Sequence, residues 1–232
     1  VTQAQAVHVV LGRELTMPVE VRVATAMTAM FSCDADATQR MVDYAGLEVL
    51  RFRPGRGLVG LAGIHYIDGD LGPYHEFGVC VLVRQPGSRK AGVFVHRLPV
   101  DGEFTLAAGR EIWGFPKELA DFDADLTSRD KHLSLRLDGQ LVADLRVRSG
   151  IRLSGKGAAL PLTAYSHLDG VTRAIPWRMQ PSGVRSRPGG ASLLLGTHPI
   201  ARELAGLRLS RRALFSTSIE NLAMTFEDAT PC

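Results

Sequence analysis

His132-Leu-Ser-Leu-Arg-Leu137-Asp138-Gly139-Gln140-Leu141-Val-Ala-Asp-Leu-Arg-Val147 decides the fold class of this chain. Asp-Gly is a two-residue hairpin turn signal, because both turn positions need positive φ and these residue types tolerate it. His132 to Leu137 and Leu141 to Val147 on either side of it therefore read as paired antiparallel strands. Working outward, Val19 to Cys33, Leu47 to Arg53, Gly57 to Ile67, Glu76 to Arg84 and Ala91 to Val95 share a strand-like composition, bounded by Gly, Pro or Asp. Ala191 to Leu195 and Leu214 to Phe226 continue the series, with a helical alternative around Ile219 to Met224 that periodicity leaves open. Helices are few and short: Ala35 to Tyr44 behind Asp34 as N-cap, Phe104 to Trp113 ended by Gly114 and Pro116, and Pro199 to Leu207 with proline in its first turn. Strand and helix do not alternate as in a doubly wound parallel sheet. The expectation is a mainly β (α+β), antiparallel fold, either a barrel or two sheets against each other, with short helices laid on it. No internal repeat is present, and residues 1–232 read as a single domain. Pro181 to Gly190, rich in Gly, Pro and Ser, reads as a linker or as a surface loop between strands.

The composition suits a folded, soluble protein with an interior able to exclude water, since 45% of the 232 residues are hydrophobic and 22% charged. Net charge is +3, and the cations are interspersed with carboxylates without forming a basic stripe, which argues against a nucleic-acid partner. Of the 27 cationic residues only Lys90, Lys117, Lys131 and Lys156 are lysines, leaving 23 arginines and few amines to consider as nucleophiles. Cys33, Cys80 and Cys232 are odd in number and far apart, which suggests neither a disulfide framework nor a zinc knuckle and fits a reducing cytosol. No apolar run reaches the roughly 18 residues of a membrane span, and the first thirty residues lack a signal-peptide pattern, so a cytoplasmic protein with no membrane partner is expected.

One segment carries chemistry. In Gly109-Arg110-Glu111-Ile112-Trp113-Gly114-Phe115-Pro116-Lys117-Glu118-Leu119, Pro116 cannot continue the preceding helix and restricts Phe115 to extended geometry, which sets Lys117 on a stiff bend. If the apolar Ile112, Trp113, Phe115 and Leu119 line a pocket, the amine is desolvated and its charged form disfavoured. Lowering a lysine from about 10.4 to about 7 takes on the order of 4 to 5 kcal/mol, which burial can supply. A neutral amine attacks a ketone to give an iminium, an electron sink for breaking the neighbouring bond. The alternative is a solvated turn lysine whose stem lies on Trp113.

This segment resembles the signature of the acetoacetate decarboxylase family, and the order of other elements agrees, including Tyr74-His75-Glu76 and His198-Pro-Ile-Ala-x-x-Leu-Ala-Gly-Leu207. The resemblance implies an antiparallel, cone-like β-barrel, often assembled into large homo-oligomers, and a cofactor-free lyase acting on a small keto acid through a Schiff base on Lys117. Activation of that lysine by a neighbouring cation is the family mechanism. Glu76 matches a family carboxylate and is the expected proton-transfer group, with His75 beside it as another acid or base. Trp113 and Phe115 are expected to contact substrate, and Arg110, Glu111 and Glu118 to surround the lysine as support.

The chain also departs from the family. Glu118 stands where a second lysine follows the first, Leu61 where a second carboxylate stands, and Ala24 where an arginine faces substrate. Arg22, two residues from Ala24 and so on the same strand face, is the expected replacement clamp for a substrate carboxylate. These changes leave two readings open: decarboxylation or an aldolase or dehydratase variant of it, or a ligand-binding member of the same fold that has lost turnover.

Other chemistry finds little support. The seven histidines lack H-x-x-x-H or H-x-H spacing, so no metal is expected, although His65 and His75 could converge across a hairpin. Gly60-Leu-Ala-Gly63 and Gly55-Arg-Gly57 lack the context of a nucleotide fingerprint, and no G-x-S-x-G elbow occurs.

Overall fold

The computed structural model describes residues 6–153 and 159–232. Among these, the strands in chain order are β1 (Val7–Val10), β2 (Arg13–Thr16), β3 (Val19–Asp34), β4 (Glu48–Val49), β5 (Arg56–Gly69), β6 (Tyr74–Arg84), β7 (Gly92–Arg97), β8 (Asp121–Asp125), β9 (Lys131–Leu137), β10 (Gln140–Val147), β11 (Ile151–Arg152), β12 (Leu160–Leu168), β13 (Val171–Ser182), β14 (Arg185–Pro188), β15 (Ala191–Leu195), β16 (Phe215–Phe226) and β17 (Thr230–Pro231). Three α-helices accompany them: α1 (Ala35–Val42), α2 (Glu103–Trp113) and α3 (Pro199–Gly206).

Seven strands close into a barrel in the order β16-β3-β5-β6-β7-β12-β13, with β13 returning to β16 from Trp177↔Phe226 to Ser182↔Asn221. The pairs are antiparallel except β7 with β12, where Ala164 lies beside Val93 in parallel register. The Asp138-Gly139 turn forms as its sequence requires, with φ of 50° and 72° at the two residues, and joins β9 to β10. That hairpin belongs to a separate sheet, β15-β10-β9-β8, laid against the outside of the barrel.

Strand alternation produces two cores. On β6, Tyr74, Glu76, Gly78 and Cys80 point into the barrel, while Phe77, Val79, Val81 and Val83 join Leu133, Leu135, Leu145 and Leu204 in the layer between barrel wall and outer sheet. Leu61 belongs to this outer core, so the position that matched a family carboxylate does not face the barrel interior; its neighbour Ala62 does.

Asp34 caps α1 as expected, its carboxylate accepting from the backbone N–H groups of Asp36 and Ala37. Two alternatives that the sequence left open are decided by the structure. Pro181 to Gly190 is not a linker: it ends β13 and supplies β14, which pairs with β16, with Gly183 at φ 64° allowing the turn between them. Ile219 to Met224 is strand, because β16 is flanked on both sides, by β3 and by β13, and its backbone groups are used in those ladders. Leu47 to Arg53 contributes only the two-residue β4.

Candidate active site

Helix α2 ends where Gly114 turns left-handed (φ 63°, ψ 27°), and the Phe115 N–H then returns 2.9 Å to the carbonyl of Gly109. This fold-back carries the chain across the helix, so that the stem of Lys117 lies directly over Gly109. A Cβ at that glycine would stand 2.6 Å from Lys117 Cδ and 2.7 Å from Cε. The glycine is therefore part of the lysine's seat. Arg110 helps fix the bend from outside, its Nη1 donating to the Lys117 carbonyl at 3.2 Å.

The Lys117 side chain is only 3% exposed. Its Nζ donates 2.7 Å to Thr105 Oγ1, lies 2.9 Å from Glu76 Oε2, and sits 4.9 Å from the centroid of the Tyr74 ring. Tyr66 donates its hydroxyl to the other carboxylate oxygen of Glu76 at 2.8 Å and stacks on Tyr74 with ring centroids 4.1 Å apart. Burial pushes the Lys117 amine below the ordinary lysine value, and the neighbouring Glu76 carboxylate opposes that shift. Both tyrosines are driven well above the usual phenol value, first by burial and then by Glu76.

These groups open onto a cavity of about 90 Å³ in the barrel interior. All seven barrel strands contribute to its wall: Val19 and Val21 from β3, Ala62, Ile64 and Tyr66 from β5, Tyr74, Glu76, Gly78 and Cys80 from β6, Val95 from β7, Ala164 from β12, Trp177 from β13 and Phe226 from β16. Trp113 at the end of α2 and Phe115 and Lys117 just after it also line the wall, and Leu71 and Leu98 complete it. Apart from Lys117, Glu76 and the two tyrosine hydroxyls, the wall is apolar or weakly polar. Burial raises the Cys80 thiol to about 12, which keeps it protonated. One ordered water needs on the order of 10 to 15 Å³ of such space, so the cavity has room for a ligand of roughly six to nine heavy atoms.

The expected residues thus separate. Lys117, Glu76, Trp113 and Phe115 come together at one cavity, with Arg110 buttressing the lysine backbone. Glu111 is exposed on α2, and Glu118 lies outside the cavity wall, partly buried, with Oε1 lacking a hydrogen-bond partner among the described residues. The Arg22 clamp is corrected: its guanidinium binds Asp68 and Asp70 on the outer surface at 2.7 Å each, and its side chain is 46% exposed. The cause is a register shift in β3 between Val21, Val23 and Ala24, which leaves Arg22 and Val23 both exposed and puts Ala24 on the opposite face from Arg22. His75 is corrected as well, since alternation turns it outward, where it pairs with Asp101 at 2.8 Å and stacks on His65 at 4.3 Å. Among the described residues no three His, Cys, Asp or Glu side chains gather as a metal site requires.

Thr105 and Tyr66 were not found from sequence. Thr105 lies four residues before Gly109 on α2, hence on the same face, and that spacing is the signal that could have located it. Tyr66 stands opposite Tyr74 in the β5–β6 ladder, which only the register reveals.

The family model described as acetoacetate decarboxylase matches residues 11–230. An acetoacetate decarboxylase of Acidiphilium cryptum is 49% identical over 50 residues, and acetoacetate decarboxylase 3 of Mesorhizobium japonicum 42% over 51; each aligned stretch is 22% of this chain and about a fifth of the relative (20% and 19%). Among solved structures, acetoacetate decarboxylase from Legionella pneumophila superposes with a TM-score of 0.70 at 21% identity, covering 93% of this chain and 87% of that one. The enduracididine biosynthesis enzyme MppR, complexed with the condensation product of pyruvate and imidazole 4-carboxaldehyde, gives a TM-score of 0.70 at 14% identity over 99% and 97%. An acetoacetate decarboxylase-like enzyme from Sphingomonas wittichii gives 0.67 at 16% over 99% and 100%. At these identities the superpositions speak to fold.

Proposed function

The chain belongs to the acetoacetate decarboxylase family, and on that premise we propose that it is a cofactor-free lyase that holds a small keto acid as an imine on Lys117. The observation that carries this reading is the Lys117 side chain, 3% exposed and walled by apolar side chains, with its amine 2.9 Å from a carboxylate. Burial makes the proton easier to give up, and Glu76 is close enough to take it directly. The neutral amine adds to the ketone carbon. Glu76 then returns the proton to the carbinolamine oxygen, which leaves as water and gives a protonated imine.

That cationic nitrogen accepts the electron pair of the bond that breaks, whether it releases carbon dioxide or an aldehyde, and the resulting enamine is reprotonated at carbon. Hydrolysis of the imine frees the amine. Tyr66, by donating to Glu76, holds the carboxylate facing Lys117 throughout. Decarboxylation and aldol or dehydration chemistry share this intermediate. Sodium borohydride trapping with acetoacetate and pyruvate, read by intact mass, tests it: a reduced adduct lost in Lys117→Ala is expected, and its absence with every keto acid tried sinks the proposal.

A second reading, a ligand-binding member without turnover, is favoured by the same ion pair, since Glu76 and Thr105 together can hold the amine as ammonium. It requires that Lys117→Ala bind ligand as tightly as the natural chain. The family premise extends to a homo-oligomer in the cytoplasm, and light scattering on the purified chain checks its assembly.

A further inference from the structure

Glu76 and Lys117 meet at 2.9 Å but come from different parts of the chain, β6 and the segment after α2. A short strip of backbone, residues 99–101, runs between those two parts. On one side Val100 bridges Glu76 in antiparallel register, with the Phe77 N–H donating 3.0 Å to the Pro99 carbonyl and the Asp101 N–H 3.3 Å to that of His75. On the other side Val100 bridges Leu119 in parallel register, its N–H donating 2.9 Å to the Glu118 carbonyl while the Ala120 N–H donates 2.9 Å to its carbonyl. The residue after Lys117 is thus hydrogen-bonded to the residue that bridges Glu76.

One side chain fastens this strip to β6. Asp101 spends both carboxylate oxygens on His75, Oδ1 accepting the backbone N–H at 2.7 Å and Oδ2 facing the ring Nδ1 at 2.8 Å. Aspartate near the start of a helix ordinarily serves as its cap, yet α2 has Gly102 at its N-cap and no side-chain cap, and the carboxylate one residue earlier turns to β6 instead. Both partners are partly exposed and lie outside the cavity wall, so the contact can be cut without opening the apolar lining. Asp101 is also not among the influences on Lys117, which are burial and Glu76. We propose that Asp101 is a positioning residue that holds residues 99–101 in register on β6 and so keeps the Glu76 carboxylate against the Lys117 amine. This deepens the imine reading and rests on it only for what the amine does.

The titration of Lys117, read without substrate, tests it. The chain has four lysines, so protein labelled with ¹³C and ¹⁵N in lysine gives four side-chain signals, and that of Lys117 is the one lost in Lys117→Met. The titratable groups around the amine are Glu76, Tyr66 and Tyr74, and Glu76 is the one that raises it. Asp101→Ala should let that carboxylate draw back, so the Lys117 midpoint falls, as in Glu76→Gln; with Glu76→Gln already in place it should fall no further. A loosening that merely admitted water would raise the midpoint in both backgrounds. Asp101→Asn loses the charge but keeps an acceptor for the His75 N–H, and should titrate like the natural chain. His75→Ala keeps the backbone half of the contact and should give a smaller fall, which also serves if Asp101→Ala does not fold. On the alkaline plateau, borohydride trapping by Asp101→Ala should slow on the order of tenfold, as displacement of a reacting group requires. An unmoved or raised midpoint in Asp101→Ala, or an equal fall in Asp101→Asn, overturns the assignment. These shifts without any keto-acid adduct in the natural chain would sink the imine reading and leave Asp101 in its role, and an adduct without the shifts would do the reverse.

Discussion

Gly109→Ala separates the position of the lysine from the stability of the fold. The new Cβ would lie 2.6 and 2.7 Å from Lys117 Cδ and Cε, where carbon atoms normally rest about 3.5 to 4.0 Å apart. The stem must therefore move by roughly 1 Å. It cannot swing freely, because its amine is held at 2.7 Å by Thr105 and faces Glu76 at 2.9 Å, so the shift opens one or both contacts. A misplacement of that size at a reacting group costs on the order of 100-fold in rate. Stability should respond differently: alanine in place of glycine inside α2 favours the helix by about 1 kcal/mol, and crowding a filled site costs about 1 to 3 kcal/mol. The two nearly offset, leaving a net loss of at most about 2 kcal/mol. The assay is the rate of borohydride-dependent adduct formation beside urea unfolding, with Gly206→Ala in α3 as control, since a Cβ there meets nothing within 4 Å. Wild-type trapping in Gly109→Ala would refute the claim that this glycine seats the amine.

Trapping by the natural chain should rise with pH through a midpoint below the free-lysine value of about 10.5, because burial depresses the Lys117 amine. Glu76→Gln should move that midpoint lower still, since the one group holding it up is removed, while steps that need a returned proton slow; a midpoint that rises would contradict the pairing. The same depression makes Lys117 contribute stability that is present above the unfolded lysine value and lost as pH falls through the lower folded value, so Lys117→Met should flatten the alkaline limb of a stability–pH curve. Arg22→Ala should leave trapping unchanged for every keto acid, as its guanidinium is engaged outside the barrel; a selective loss with carboxylate-bearing ligands would restore it as a clamp. Gly139→Ala, forced to keep φ near 72°, should cost about 1 to 2 kcal/mol in urea unfolding with no change in trapping, because the hairpin lies in the outer sheet.

The elements legible in sequence were those whose signals are local. Asp138-Gly139 fixes its turn through backbone preference alone, Asp34 caps its helix with its own side chain, and Gly114 with Pro116 ends α2 whatever packs around it. β12 and β13 were not legible: Pro161, Pro176 and Pro181 interrupt their apolar pattern, and they become strands because the barrel needs them to close between β7 and β16. The site divides the same way. Lys117 and Glu76 could be singled out from motifs, but Arg22 was misplaced, because one bulge in β3 reverses which residues share a face and no propensity announces a bulge. Tyr66 and Trp177 reach the cavity through ladder register and barrel closure, which are properties of the whole sheet.

Glu118 raises the question of how Lys117 is tuned without a cation beside it. Lys117 turns into the barrel and Glu118 lies outside the cavity wall, so the exchange of lysine for glutamate does not put a carboxylate on the substrate side of the amine. Of the influences on Lys117, burial is the largest and the only one that lowers it; both others come from Glu76 and raise it. The depression therefore depends on the apolar wall rather than on charge repulsion. This makes the tuning sensitive to water: a polar substitution that hydrates the interior, such as Val95→Thr, should raise the trapping midpoint toward the free-lysine value, while raising ionic strength, which screens charges but not burial, should leave it nearly fixed. A midpoint that climbs steeply with salt would mean that a cation does the work after all.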